Sequence, residues 1–159
     1  MKPSNPVVEA THVQKHFGSI HAVDGISLSI GQGEIYGLLG PNGSGKTTLI
    51  RLIIGLLRPS SGSIQLLGAS MPDKAILGQI GYMTQASALY EELTVRENVV
   101  FFAEMSGRYE RARVEEVLQL VDLGERAGSV VRTLSGGMRQ RASLACALAH
   151  RPRLLLLDE

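Results

Sequence analysis

A single cysteine stands among the 159 residues, so no disulfide can form within the chain and a reducing compartment is the natural setting. Cys146 is set among alanines and leucines, where a buried, inert thiol is expected. Long apolar runs are missing too. The greasiest stretch, "LIRLIIGLL", is interrupted by Arg51 and falls far short of the ~20 residues that span a bilayer, so the chain is not expected to cross a membrane by itself. The opening residues "MKPSNPVVEA" hold two prolines and no apolar core, which does not read as a secretory signal. Neither sign of charge dominates: 16 Lys and Arg face 15 Asp and Glu, a net charge of +1. With no long basic run, nothing marks a nucleic-acid footprint. Internal repeats, low-complexity tracts and interdomain linkers are also lacking.

What remains suits a soluble domain with one sizeable core, since 44% of residues are hydrophobic and 19% charged. Ile26, Leu28 and Ile30 alternate with Ser27 and Ser29, the period of a half-buried strand. "EIYGLL" (residues 34–39) is a short apolar run closed by glycine, which predicts a buried strand. From Gly45 to Leu57, Leu49, Leu52, Ile53 and Leu56 recur at helical spacing, and "RPSSG" then stops the helix. "SIQLLG" and "IGYMT" read as further strands. Thr94 followed by Glu97 is a capping box opening a helix that Gly107 ends. Val114, Val117, Leu118 and Val121 mark a second helix, Ser135 can cap a third running to about His150, and "RLLLLD" returns to a buried strand. Strand-rich material thus flanks a helical insert of residues 86–150, and the class is α/β.

"GPNGSGKTT" (residues 40–48) fits G-x-x-x-x-G-K-[ST] and lies between a predicted strand and a predicted helix, the context the pattern requires. Glycines let such a loop curl so that successive N–H groups cradle phosphate oxygens, and the helix start adds its positive dipole end. Gly40, Asn42, Gly43, Ser44, Gly45 and Thr48 belong to the loop. Lys46 would reach the β- and γ-phosphates and the Thr47 hydroxyl would ligate Mg²⁺. A hydrophobic strand ending in aspartate is the usual second half of such a site, so Asp158 would hold the metal. Glu159 beside it would act as general base on the attacking water. In "LSGGM", Ser135 caps a helix that opens on Gly136 and Gly137, leaving bare N–H groups at its start. The chain already has one phosphate loop, so this second anion site would serve a nucleotide on another subunit; a plain serine cap after a glycine turn is the bland alternative.

The ordered set resembles the nucleotide-binding domain of ATP-binding-cassette (ABC) transporters. The phosphate loop (Walker A), Gln85 closing "GYMTQ", "LSGGMRQR" and "RLLLLDE" (Walker B) stand in that family's order. The resemblance implies a P-loop NTPase core with a mostly parallel sheet, an N-terminal antiparallel β subdomain and an inserted helical subdomain. Residues 1–85 would form the β subdomain and core, 86–150 the helical subdomain and 151–159 the Walker B strand. It also implies ATP and Mg²⁺ as ligands and that Phe17 stacks on adenine. Gln85 would contact the metal and the attacking water. Taken singly, Phe17 reads as core and Gln85 as surface; only the ensemble promotes them. The expected partners are a second nucleotide-binding domain, identical or not, and a membrane-spanning subunit, on the cytoplasmic face of the cell membrane. Leu89, Tyr90 and Leu93, apolar in an expected surface loop, would dock that subunit. "LYEELTVRENVVFFAEMSG" with "LSGGM" looks most like bacterial exporters of drugs or other small molecules. A soluble ABC-type ATPase and a non-catalytic nucleotide-binding fragment are the alternatives.

Phe17 stands where tyrosine is commoner in the family, and Met138 where glutamine is usual. The family continues past the glutamate with a further strand between the phosphate-loop strand and the Walker B strand, ending in a histidine that holds the γ-phosphate. The C-terminal part of the core is therefore expected to be missing, and the 159-residue chain to be inactive. The histidines at 12, 16, 21 and 150 match no such context and are expected to be solvated or local.

Overall fold

The computed structural model describes residues 6–84 and 88–158, which form two compact units divided between Leu77 and Gly78. The protein is α/β: the first unit holds an antiparallel sheet and the second a parallel strand pair under helices. Among the described residues, no helix is long and apolar enough to cross a membrane.

In the first unit, β1 (Pro6–Phe17) and β2 (Ile20–Gly31) form a long hairpin, and β3 (Ser61–Leu66) and β4 (Ala69–Ser70) complete the order β2-β1-β3-β4. The inward residues of β1 are Val8, Ala10 and Val13. The last step is three residues because His12 takes φ 47 and the register with β2 shifts there, which returns Val13 to the core face. Leu49, Ile50, Leu52 and Ile53 of α1 (Lys46–Ile53) are buried, and the helix packs against β2 and β3. It is shorter than its apolar pattern predicts. Gly55, at φ 74, already turns the chain away before the expected stop at Arg58. A short α2 (Lys74–Leu77) ends the unit.

Residues 34–39, expected as a buried strand, are irregular instead. Ile35 and Leu39 are fully exposed and Tyr36 is half-exposed. The reason is that a strand exists only through its ladder, and no described residue pairs with this run.

The second unit begins with β5 (Ile80–Met83), which pairs in parallel with β6 (Leu154–Leu157) from Ile80↔Leu154 to Met83↔Leu157. The β6 strand is where "RLLLLD" predicts it but is not the buried strand expected: its leucines are only partly covered and Leu157 is exposed. Its one described ladder neighbour is β5, so much of its surface faces outward. Between the two strands come α3 (Val95–Met105), α4 (Arg111–Leu120), two 3₁₀ turns (Gly124–Arg126 and Val131–Thr133) and α5 (Gly136–Leu148). Val99, Val114, Val117, Leu118, Ala142 and Ala145 lie at the centre of one contiguous core. Cys146 belongs to it, and burial pushes its thiol up to about 12, which makes it inert as expected. Gly81 lets β5 lie directly under α5, because a Cβ there would strike the Ala147 carbonyl.

The capping box of α3 is complete: Thr94 Oγ1 accepts from the Glu97 N–H, and the Glu97 carboxylate accepts from the Thr94 N–H at 2.7 Å. The Thr94 N–H and, at 2.8 Å, the Thr94 hydroxyl both donate to the Glu97 carboxylate and hold its carboxyl below the ordinary range. Asn98 is wholly buried one turn further on. Its Oδ1 accepts from the Tyr90 N–H at 2.8 Å, and its Nδ2 donates to the carbonyls of Tyr90 and Thr94, both at 3.0 Å. The side chain therefore clamps the loop that enters α3. Leu89 packs partly buried against the helical core and Leu93 is partly buried as well, while Tyr90 is 49% exposed and meets Phe101 edge-on. Of the apolar trio, Tyr90 is the one that faces outward.

Replacing Asn98 with alanine strands loop groups that water cannot fully reach. Asn98→Ala should cost the second unit about 1–3 kcal/mol, read as a lower urea midpoint with unchanged slope. A midpoint within error of the parent would show that the clamp is not a source of stability.

Candidate functional site

The loop of residues 40–45 leads from the irregular segment into α1. Gly43 and Gly45 have φ 80 and φ 89, values that side chains rarely adopt. Gly45 is constrained twice, since a Cβ built on it would collide with the backbone carbonyl of Ala22 in β2. Closure is also tight at Gly40, where a Cβ would fall 2.7 Å from the Ser44 hydroxyl. The Ser44 N–H donates to the Pro41 carbonyl at 3.2 Å, and the Leu49 N–H donates to the Gly45 carbonyl at 2.8 Å as the helix starts. Lys46 bends back over the loop: its ammonium donates to the carbonyls of Gly40 at 2.7 Å and Pro41 at 2.8 Å. The cation thus sits over the concavity, where anionic oxygens could take the place of those carbonyls. Asn42 and Ser44 are exposed; Thr47 and Thr48 are partly buried on the first turn. A curled glycine backbone, a helix start, an ammonium and a hydroxyl fit a nucleotide triphosphate with its hard cation.

Phe17 ends β1 in the same unit, half-exposed, with the Lys15 ammonium 5.1 Å from its ring centroid. It is a surface ring rather than the core residue it would read as alone.

In the second unit Asp158 follows β6 and is 5% exposed. Its N–H donates to the Met83 carbonyl at 2.9 Å, extending the parallel ladder by one bond, and the Tyr82 hydroxyl donates to Oδ2 at 3.3 Å. A buried, oriented carboxylate at a strand end suits a hard divalent ion. Tyr82 was not singled out in the sequence; its place in a strand gives no sign that it reaches an aspartate 76 positions away. Ser135 caps α5 as expected, its hydroxyl accepting from the Met138 N–H at 3.3 Å. Gly136 and Gly137 are exposed, with open space where side chains would stand, so the start of that helix is unshielded. Gln85 and Glu159 lie outside the described residues.

His150 is neither solvated nor merely local. It is buried after α5, and its Nε2 lies 3.0 Å from the Ile80 carbonyl at the start of β5, so the neutral ring with its proton on Nε2 donates there. The sequence gives only "ALAHRP", a histidine following a helix, which carries no sign of burial.

A glycine loop closing onto an antiparallel sheet, and a serine-capped glycine helix beside a strand that ends in a buried aspartate, are the features expected of an ABC-type nucleotide-binding domain. The family model described as ABC transporter matches residues 23–159, and the chain belongs to that family. It is 46% identical over 156 residues to a sulfate/thiosulfate import ATP-binding protein, CysA, of Synechococcus elongatus, covering 96% of this chain and 45% of the relative. It is 43% identical over 161 residues to the Nod factor export ATP-binding protein I of Sinorhizobium fredii, covering 98% and 47%. A solved ATP-binding subunit of an ABC transporter superposes with TM-score 0.84 at 30% identity, over 96% of this chain and 66% of that one. The chain spans about half the length of the curated relatives it matches.

Burial of His150, reinforced by the charges of Arg108 and Arg113 and opposed by the Ile80 hydrogen bond, lowers its pKa from the ordinary 6.5. The unfolded chain therefore takes up this proton first as pH falls. The contribution is fully present above the unfolded value of ~6.5 and is lost as pH drops through the folded one. Urea unfolding at about pH 7.5 and about pH 5.5 should show a loss of stability that His150→Gln reduces. An equal loss in both proteins would remove His150 as the cause.

Proposed function

We propose that this chain is the nucleotide-binding part of the ATP-binding subunit of an ABC transporter. In the complete subunit, ATP binding and hydrolysis drive a substrate through a separate membrane-spanning partner. The observation that carries the reading is the loop of residues 40–45, closed by the Gly45–Ala22 contact and covered by the Lys46 ammonium.

In this reading the backbone N–H groups of Gly43, Ser44 and Gly45, with Lys46, hold the phosphates, and Phe17 offers its face to the adenine. Thr47, Asp158 and Gln85 would hold Mg²⁺, which when bound offsets the charge of the β- and γ-phosphate oxygens. Glu159 takes a proton from the attacking water. Ser135, Gly136 and Gly137 present the start of α5 to a nucleotide held by a second nucleotide-binding domain, in a two-fold head-to-tail pair. The subunit works at the cytoplasmic face of the membrane. The 159-residue chain binds nucleotide but turns it over negligibly, consistent with residues 34–39 being exposed and having no ladder neighbour among the described residues.

Relatives of nearly equal identity carry import and export in their names, so overall similarity does not separate the directions. Export is supported by the stretch from Leu89 to Gly107 taken with "LSGGM".

The test of function is complementation in the full-length protein. Lys46→Ala and Ser135→Arg subunits should each be inactive alone, and mixing them should restore ATPase activity, because one composite site then has an intact loop facing an intact serine helix. Demonstrated heterodimers that stay inactive would contradict the paired arrangement, and Lys46→Ala homodimers with parental activity would contradict the nucleotide assignment.

A further inference from the structure

The two antiparallel strands that lead to Phe17 bring together three groups that the nucleotide chemistry does not use. His16 of β1 lies directly opposite His21 of β2, one register step from the hairpin turn. Their rings are 4.2 Å apart between centroids and tilted by 35°. Asp24 is the third member: one donor atom from each of His16, His21 and Asp24 lies within 4.8 Å of the other two. We propose that this trio is a binding site for a borderline divalent transition ion, of which zinc is the representative, separate from the Mg²⁺ expected at the phosphates.

The donor set sets the metal class. Two imidazoles and one carboxylate favour zinc, copper or nickel over the hard magnesium ion, which prefers oxygen ligands and keeps its water. Three protein ligands with water in the fourth position is a ligand count zinc accepts, with bonds of about 2.0–2.2 Å to nitrogen and oxygen. His21 and Asp24 are exposed, so an ion can enter from solvent, and their side chains are free to turn toward it.

Two further features favour a site over a chance stack of rings. The Nε2 of His16 is withdrawn from water and has no hydrogen-bond partner, and a buried nitrogen left in that state is unfavourable. Metal coordination, directly or through the other ring nitrogen with rotation of the imidazole, is a bond this ring can make. The Asp24 carboxylate is already oriented: Gln14 Nε2 donates to its Oδ1 at 3.1 Å, and Ser61 Oγ in turn donates to Gln14 Oε1 at 2.7 Å. Such a chain of support holds one oxygen and leaves the carboxylate's other oxygen to bind, as outer partners do in metal sites. An ion here would pin the hairpin beside Phe17 and beside Ala22, whose carbonyl faces Gly45.

The experiment uses the full 159-residue chain without a polyhistidine tag, stripped with chelator and titrated with zinc chloride against a chromophoric competitor. One zinc should bind per chain, with millimolar magnesium unable to displace it. His21→Ala, at an exposed position that the fold does not need, should weaken binding at least ~10-fold. Asp24→Asn should weaken it less, while His12→Ala, an exposed histidine on the same strand, should leave it unchanged. In NMR spectra the ring signals of His16 and His21 should shift together with the first equivalent. The proposal is overturned if the parent binds zinc no more tightly than His21→Ala, or if His12→Ala loses as much. It is equally overturned if the first equivalent leaves the His16 and His21 signals in place.

Discussion

A backbone carbonyl, that of Ala22, occupies the space where a side chain at residue 45 would begin. The first unit is organised around this close approach. It seats the start of α1 on the β2 strand and fixes where the loop of residues 40–45 closes, so the Lys46 ammonium lands over the loop's own carbonyls. Glycine is required there by conformation and by contact together, since φ 89 and the missing Cβ are separate demands on one residue. In the role proposed for it, a loop that offers N–H groups to an anion can satisfy few of them internally, here Ser44 on the Pro41 carbonyl, so much of its shape is held from outside. The hairpin does that holding.

The second unit solves a related problem with side chains. Its helices enclose one core, and their exposed ends are secured locally: Thr94 and Glu97 at α3, Ser135 at α5, and Arg141 on the carbonyls of Val121 and Asp122 just past α4. Gly81 lets β5 approach α5, and His150 ties the end of that helix back to Ile80. The parallel pair is thereby clamped at both ends, with the Asp158 N–H adding the last ladder bond. Asp158 is buried because its strand delivers it there, and the Tyr82 hydroxyl receives it.

Much of this was legible in the sequence where the signal is local. The Thr94–Glu97 box, the Val114 to Val121 stripe, the Ser135 cap and the glycine loop each declare themselves within eight or nine residues, because capping, helical periodicity and positive φ are short-range requirements. What was not legible depends on partners distant in sequence. Residues 34–39 have the composition of a buried strand, yet composition cannot supply a neighbour, and without one they are exposed coil. The bulge at His12 hides the strand periodicity of β1 by turning a step of two into a step of three. The pairing of His16 with His21 follows from a register that includes several such shifts, and the burial of His150 from contacts with a strand 70 residues away.

The account stands on the loop of residues 40–45 as a triphosphate site, and direct titration tests that most sharply. Fluorescently labelled ATP with Mg²⁺ should bind the 159-residue chain saturably, and Lys46→Ala should weaken binding at least tenfold, a loss of ~1.4 kcal/mol or more, with the circular dichroism spectrum unchanged. Equal affinity in the two proteins would contradict the assignment of this loop, and with it the function proposed for the chain.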